Sequence, residues 1–296
     1  MRLGIDLGGT KIAAIVLAED QRTVWESRSA TPRGDYAATI DAIAGLVEAG
    51  EAAAGATCTV GIGMPGAISP ATGLVKNANS TWLNGRPLKE DLERRLAREL
   101  PLANDANCLA VSEAVDGAAA GRRVVFGVIL GTGTGGGIAI DGHAWTGPNA
   151  IAGEWGHNPL PWPTDAERPG PACYCGQRGC LEVFLSGPAL AADAFARTGL
   201  DRPATMVAAA AMAGDDAATA AMDAWIDRLS RALATVVNVL DPDAIVVGGG
   251  LSSIARIYTD VAIGWRKYVF SDRIDTVIVP ATFGDASGVR GAARLW

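Results

Sequence analysis

Gly4-Ile5-Asp6-Leu7-Gly8-Gly9-Thr10-Lys11-Ile12-Ala13, continued by Ala14-Ile15-Val16-Leu17, is the stretch that decides the fold. An apolar run on each side of a glycine turn reads as strand, turn, strand. The polar turn Glu19-Asp20-Gln21-Arg22 then leads to a third strand at residues 23–29. A P-loop or a Rossmann turn must run from a strand into a helix, whereas these glycines close a hairpin. The theme returns at Gly127-Val128-Ile129-Leu130-Gly131-Thr132-Gly133, which resumes at Gly137-Ile138-Ala139. Two such units in separate halves predict a duplicated α/β architecture.

Working outward, residues 36–54 place Ile40, Ile43, Leu46 and Val47 on one face of an amphipathic helix. A buried-strand pattern at 59–64 ends in the turn Pro65-Gly66. Leu88, Leu92, Leu96 and Leu100 predict a helix over 88–100 with Pro87 at its first position. A short strand at 101–103 ends at Asn104-Asp105, where the next helix begins. In the second half, Ser186 and Pro188 read as a cap and first position, and Gly199 as a stop. A long helix over 215–240 carries Met222, Trp225, Leu229, Leu233 and Val236 inward. The strand 244–247 runs into Gly248-Gly249-Gly250 with a helix after it, a strand at 276–279 follows, and the last helix covers 287–296. The segment from His157 to Cys180 holds five prolines and no periodicity, and a loop that long is functional or tied down.

Composition narrows the class. Hydrophobic residues are 49% and charged residues 19% of 296, a globular profile. The net charge of -7 disfavours a nucleic-acid partner, which needs a basic face. No apolar run approaches the length of about 18 residues that suggests a membrane span. Asp6 and Lys11 interrupt any secretory pattern, so a soluble cytoplasmic protein is expected. Of five cysteines, Cys58 and Cys108 read as buried apolar residues, while Cys173, Cys175 and Cys180 cluster.

Four constellations carry chemistry. In the stretch from Asp6 to Lys11, glycine lets backbone N–H groups approach an anion, Lys11 adds charge, and Asp6 can reach a Mg²⁺ on the phosphates. An ordinary glycine hairpin is the competing reading. Gly131-Thr132-Gly133-Thr134-Gly135-Gly136-Gly137 and Gly248-Gly249-Gly250 add two more backbone surfaces, and together the three point to ATP. Asp105, closing a strand and opening a helix, suits a group that orients an attacking hydroxyl and takes its proton, a helix cap being the alternative. Asn104 would bind a neighbouring hydroxyl. His157 with Cys173, Cys175 and Cys180 makes a closed tetrahedral donor set for a structural Zn²⁺, three free thiols being the alternative. The other ring nitrogen of His157 would then face elsewhere, toward a sugar hydroxyl, with Glu154 sharing that face and Glu182 positioned by the metal. His143 reads as a surface residue.

These pieces resemble the ROK family of sugar kinases and repressors. The matching residues are Asp6 to Lys11, the second glycine loop, Asn104 to Cys108, Gly153 to His157, Cys173 to Glu182 and Gly248 to Gly250. The resemblance implies an actin-like ATPase (ribonuclease H-like) fold, two duplicated α/β lobes with a central cleft. The first lobe would be 1–117 with the C-terminal helix 286–296 packed back on it, and the second 118–285 with the zinc loop. It implies Asp105 as catalytic base. Asn104, Glu154, His157 and Glu182 would be the sugar contacts, with Gly66 and Asn79 counted beside them. His157, Cys173, Cys175 and Cys180 would bind zinc. Gly4, Ile5, Asp6, Leu7, Gly8, Gly9, Thr10 and Lys11 would hold Mg-ATP with Gly131, Thr132, Gly133, Thr134, Gly135, Gly248, Gly249 and Gly250, with Asp6 on the Mg²⁺.

Residues 77–85 (NANSTWLNG), residues 154–162 (EWGHNPLPW) and the proline-rich insertion are similar to the fructokinase branch. Phosphorylation of fructose to fructose 6-phosphate, with mannose as a second acceptor, is therefore the first expectation. A glucokinase or N-acetylhexosamine kinase is the alternative. The expected partners are a hexose and Mg-ATP in a homodimer, without nucleic acid or membrane. A sugar-responsive repressor of this fold carries a DNA-binding segment ahead of the first loop, and here that loop begins at Gly4. A catalytically dead sugar-binding module is disfavoured by Asp105 and the glycine loops.

Overall fold

The computed structural model of the chain describes residues 1–296. In chain order the strands are β1 (Arg2–Leu7), β2 (Lys11–Leu17), β3 (Thr23–Ala30), β4 (Thr59–Met64), β5 (Ala67–Ile68), β6 (Val75–Lys76), β7 (Leu102–Asn104), β8 (Val124–Leu130), β9 (Thr134–Ile140), β10 (His143–Ala144), β11 (Ala244–Gly248) and β12 (Val277–Pro280). The helices are α1 (Tyr36–Ala54), α2 (Leu88–Leu96), α3 (Asp105–Val115), α4 (Glu182–Leu185), α5 (Gly187–Thr198), α6 (Ala204–Met212), α7 (Asp216–Leu240), α8 (Arg256–Thr259), α9 (Val261–Gly264) and α10 (Ser287–Ala292). None is long and apolar enough to cross a membrane.

The two large sheets repeat one plan. The first has the order β3-β2-β1-β4-β7 and the second β10-β9-β8-β11-β12. β1 pairs antiparallel with β2 and parallel with β4, and β4 runs parallel to β7. In the second sheet, β11 lies parallel between β8 and β12. The glycine hairpin thus sits at the same topological place in both sheets.

The chain divides into two compact units. One comprises residues 1–121, 137–153 and 285–296, and the other 122–136 and 154–284. In the first, Leu3, Ile5, Ile12, Val16, Ile43, Val47, Val60 and Ile62 form a buried core between the sheet and α1. α1 starts at the Asp35 cap, whose side chain accepts from the Ala38 N–H, and stops at Gly55 with φ +64°. α10 lies against α3, β1 and β4. Gly4 and Gly61 make that approach possible, because a Cβ on either would overlap the main-chain oxygen of Val289 or Ala292. Arg294, 1% exposed, and Arg290 pair with Asp116 just past α3, and Arg294 also reaches Gln21.

Several elements depart from the expected bounds. α2 stops at Leu96 because Ala97 takes a left-handed conformation, φ +52°, and Pro87 caps the helix from outside. The three glycines after β11 do not lead straight into a helix. Gly249 turns at φ +83°, Leu251 N–H donates back to Leu130 O at 3.0 Å, and helix resumes only at Arg256. The last helix ends at Ala292 and the chain finishes in a turn. Val236 is only half-buried on α7, and Val237 takes the inward position.

The proline-rich loop is tied to α7 in the second unit. Arg231, 2% exposed, donates to Pro161 O at 3.1 Å, to Trp162 O at 2.9 Å and to Glu167 at 2.8 Å. Arg228 donates to the same carboxylate at 2.8 Å and to Asp193 at 3.2 Å. The Trp162 ring lies against Tyr268 with centroids 4.9 Å apart. Burial would raise the Glu167 carboxyl, but Arg231 and then Arg228 outweigh it and hold it at about 2. A carboxyl depressed on folding stabilises the fold above its unfolded value, and that contribution is lost as pH falls through the folded one. Glu167→Gln takes the shared anion from Arg231 and Arg228, which keep only the more exposed Asp227 and Asp193, at a cost of up to about 3 kcal/mol near pH 7. Urea unfolding should show that deficit relative to the parent protein shrinking as pH drops from 4.5 toward about 2.

Candidate active site

In the first unit, the start of α3 gathers one set of groups. Asn104 is the N-cap, its Oδ1 accepting the Ala106 N–H at 2.9 Å, and Asp105 Oδ1 accepts the same N–H at 2.8 Å. Asn104 Nδ2 donates to Gly66 O at 3.2 Å. That oxygen is presented by a turn in which Gly66 has φ +71° and stands too close to Lys76 O for any side chain. One amide hydrogen of Asn104 is left for a ligand.

Asp6, the last but one residue of β1, and Cys108 of α3 both flank Gly63. Desolvation first, and the Asp105 carboxylate second, push the Asp6 carboxyl up to about 7, with Lys11 opposing and Asp285 adding to the rise. The Gly8–Thr10 turn is braced by Thr31, whose hydroxyl donates to Gly8 O at 2.7 Å and whose N–H donates to Thr10 O at 3.1 Å. Lys11 Nζ pairs with Asp285 at 3.3 Å. Asp285 went unnoticed in the sequence because nothing local links it to the hairpin. Asn79 is exposed beside the buried Ser80, whose hydroxyl is 3.3 Å from where a Gly9 Cβ would stand. Gly4 and Ile5 lie within β1, where Gly4 serves the docking of α10.

In the second unit, two glycine loops meet. Gly131 is 3.9 Å, measured from its notional Cβ, from the Gly250 N, and Gly131 O accepts from the Gly187 N–H at 2.7 Å. Gly131, Thr132, Pro188, Pro203, Thr205 and Gly250 border a cavity of about 440 Å³ with a mainly apolar lining. Pro188, Pro203 and Thr205 carry no motif, so only the packing of α5 and α6 reveals them. Gly248 closes β11 and is buried, while nothing lies within 4 Å of the position of a Gly250 Cβ.

The metal tetrad also assembles there. The donor atoms of His157, Cys173, Cys175 and Cys180 all lie within 4.8 Å of one another. Cys175 Sγ is 3.6 Å from Cys180 Sγ, and Cys173 Sγ is 3.6 Å from His157 Nδ1. Tetrahedral zinc with ordinary bond lengths would set these edges at about 3.6–3.8 Å, so the donor set fits zinc. The turn that converges the sulfurs needs Gly176 at φ +91° and Gly179 at φ +72°. Short bridges Pro159 to Cys180 and Ala172 to Arg178 close it. Burial raises the Cys173 thiol and pushes Cys180 up to about 12, while the Gln177 backbone N–H lowers Cys175.

The free ring nitrogen of His157 does not stand open, contrary to expectation. With Nδ1 turned to the sulfurs, Nε2 lies 3.1 Å from Tyr174 Oη and the two rings meet edge to face at 5.1 Å. Tyr174 was visible inside the Cys-x-Cys spacing but has no metal-ligand chemistry to single it out. Desolvation first, then the Glu182 and Glu154 carboxylates, push its hydroxyl up to about 12. Glu182 Oε2 in turn accepts the Thr134 N–H at 3.1 Å. Trp155 Nε1 donates to Gly135 O at 2.9 Å, which fixes the segment carrying Glu154 on the glycine loop. His143 is exposed and bonds only Asp141 O, and Cys58 and Cys108 are buried.

Cys175→Ser should strip most of the zinc from the purified protein, read by metal analysis, and lower the melting temperature. Full zinc content in that variant would remove the tetrad as a metal site.

A family model described as ROK family matches residues 2–296. An N-acetyl-D-glucosamine kinase of Salmonella typhimurium is 39% identical over 303 residues, covering 100% of this chain and 99% of the relative. Its counterpart from Escherichia coli O157:H7 is also 39% identical, over 301 residues, with the same shares covered. Among solved structures, a ROK hexokinase from Thermus thermophilus superposes with a TM-score of 0.86 at 30% identity, covering 99% of this chain and 96% of that one. A ROK family glucokinase from Streptomyces griseus, in complex with glucose and AMPPNP, gives 0.79 at 29% identity, covering 99% and 98%.

Proposed function

The chain belongs to the ROK family and is a sugar kinase of the actin-like ATPase fold, and from that premise we propose that it phosphorylates N-acetyl-D-glucosamine with ATP. Identity of 39% along the whole length to N-acetyl-D-glucosamine kinases carries the choice of sugar. Fructose, the first expectation from the sequence, becomes the second reading. It rests on residues 77–85 and on the long loop that Arg231 anchors.

Asp105 orients the acceptor hydroxyl and takes its proton as the oxygen attacks the γ-phosphorus and the bond to the bridging oxygen of ADP breaks. Little covalent chemistry falls to the protein, so placement dominates the rate. Asn104, Gly66 and Asn79 are the sugar-contact candidates of the first unit, and Glu154 and Glu182 those of the second, where His157 contributes through Tyr174, whose hydroxyl its Nε2 already meets. The apolar cavity beside Gly131 and Gly250 has the size and lining for a nucleobase and its sugar. In each unit the glycine loop, 8–11 in the first and 131–135 in the second, offers phosphate the backbone N–H groups not already spent, as those of Gly8, Gly131 and Thr134 are, on Lys11 O, Gly133 O and Glu182. A carboxyl raised to about 7 beside a second carboxylate is an arrangement that a divalent cation relieves, and Asp6 would hold Mg²⁺, which neutralises phosphate charge. Zinc would serve as scaffold for the segment carrying His157 and Glu182, with all four positions filled by protein. A homodimer is the assembly expected.

A coupled ADP-release assay with Mg-ATP against N-acetylglucosamine, glucose, fructose, mannose and N-acetylmannosamine tests the reading. The highest kcat/KM is expected on N-acetylglucosamine. A maximum on fructose would reinstate the first expectation, and no turnover on any sugar would defeat the kinase reading. Asp105→Asn should lower kcat about 10³-fold, within the range for losing a general base, with sugar affinity by calorimetry little changed. Retained turnover would remove Asp105 as the base.

A further inference from the structure

The zinc tetrad and the second glycine loop are joined by a very short path. Cys180, 1% exposed, is followed by Leu181, 2% exposed, and then by Glu182. The Leu181 N–H donates to Asn158 O at 2.9 Å, next to His157, so the path is pinned at Leu181 between two tetrad residues. Glu182 then delivers Oε2 to the Thr134 N–H at 3.1 Å. A Cβ on Gly133 would stand 2.6 Å from that same oxygen, so the carboxylate occupies the space where the loop has no side chain. Thr134 is 5% exposed and its hydroxyl is buried without a partner, while its backbone N–H is held from outside the loop by Glu182.

Resting on the reading that 131–135 receives phosphates and that Glu182 meets the sugar, we propose that Glu182 is a positioning residue that ties the zinc-bearing segment to the phosphate loop. Its two oxygens divide the work. Oε2 is committed to Thr134, and Oε1 remains for a sugar hydroxyl. A run of glycine and threonine loses much conformational freedom when ordered, and a charge-assisted bond to one backbone N–H fixes it before the nucleotide arrives. The carboxylate charge alone would repel phosphate, so the sign of its effect on nucleotide affinity separates bracing from mere proximity.

The test compares the zinc-loaded parent protein with Glu182→Ala, Glu182→Gln and Gly133→Ala. Glu182→Ala should keep its zinc by metal analysis, while the Kd for Mg-AMP-PNP rises and hydrogen exchange at the Thr134 amide accelerates, each by about tenfold, the worth of one such bond. Glu182→Gln, whose amide oxygen can still accept from Thr134, should restore both readouts and yet bind N-acetylglucosamine more weakly. Gly133→Ala should weaken sugar binding with no nucleotide present, because it displaces a carboxylate that is chemically intact. A zinc-loaded Glu182→Ala protein with Thr134 exchange within about twofold of the parent, or with unchanged or tighter AMP-PNP binding, overturns the inference. If the parent protein binds no AMP-PNP, the kinase reading fails instead, and the exchange measurement still reports on the contact.

Discussion

Main chain packed directly on main chain is the constraint from which the rest of the first unit follows. Gly291 of α10 rests on the Cys108 carbonyl of α3, Gly137 of β9 rests on Ala106 at the start of that helix, and Gly4 and Gly61 receive α10 on β1 and β4. At each point an added methyl group would meet backbone, which cannot rotate aside. α3 is therefore held on two sides, and its first residue, Asp105, is placed to the accuracy of backbone packing. The buried Ser287 hydroxyl donating to Glu113 at 2.7 Å and the Asp116 pairs with Arg290 and Arg294 fix the rotation of the two helices. Buried polar pairs of this kind add little net stability, but they penalise every other register.

Much of this was legible in the sequence because it is local. The hairpin at 3–17, the helix at 36–54, and the strand 59–64 are written in periodicity and turn residues within a few positions of one another. The duplication was legible too, and the matching sheet orders explain why two glycine loops recur. What escaped reading is whatever depends on distant residues. Nothing near Leu100 announces that Ala97 will turn left-handed, and nothing near Lys11 announces Asp285. The nucleobase-sized cavity owes its walls to the packing of short helices whose alanines and prolines carry no chemical signal.

The candidate site shows the same division. Ligand types and spacing foretold the tetrad, since three sulfurs and an imidazole within one segment have few other uses. The surroundings of His157 were not foretold, because a tyrosine between two cysteines looks like filler until its hydroxyl is seen 3.1 Å from Nε2. Glu182 was read as a sugar contact positioned by the metal. Its second attachment, to Thr134, appears only when the glycine loop is laid beside it. Residues with two obligations are hard to recognise from sequence, where each motif is read alone.

The membership of residues 285–296 in the first unit bears on how the chain is made. Domains generally fold during synthesis from the amino end onward. Here the sheet of β1, β2 and β4 exists early, but the strip of it that α10 covers stays bare until residues 285–296 have been translated. Through that interval Ala13, Ile15 and Leu17 lack the partners Val289 and Ala293. The nascent polypeptide therefore carries a greasy, unfinished amino-terminal half on the ribosome, a window in which a chaperone has something definite to shield.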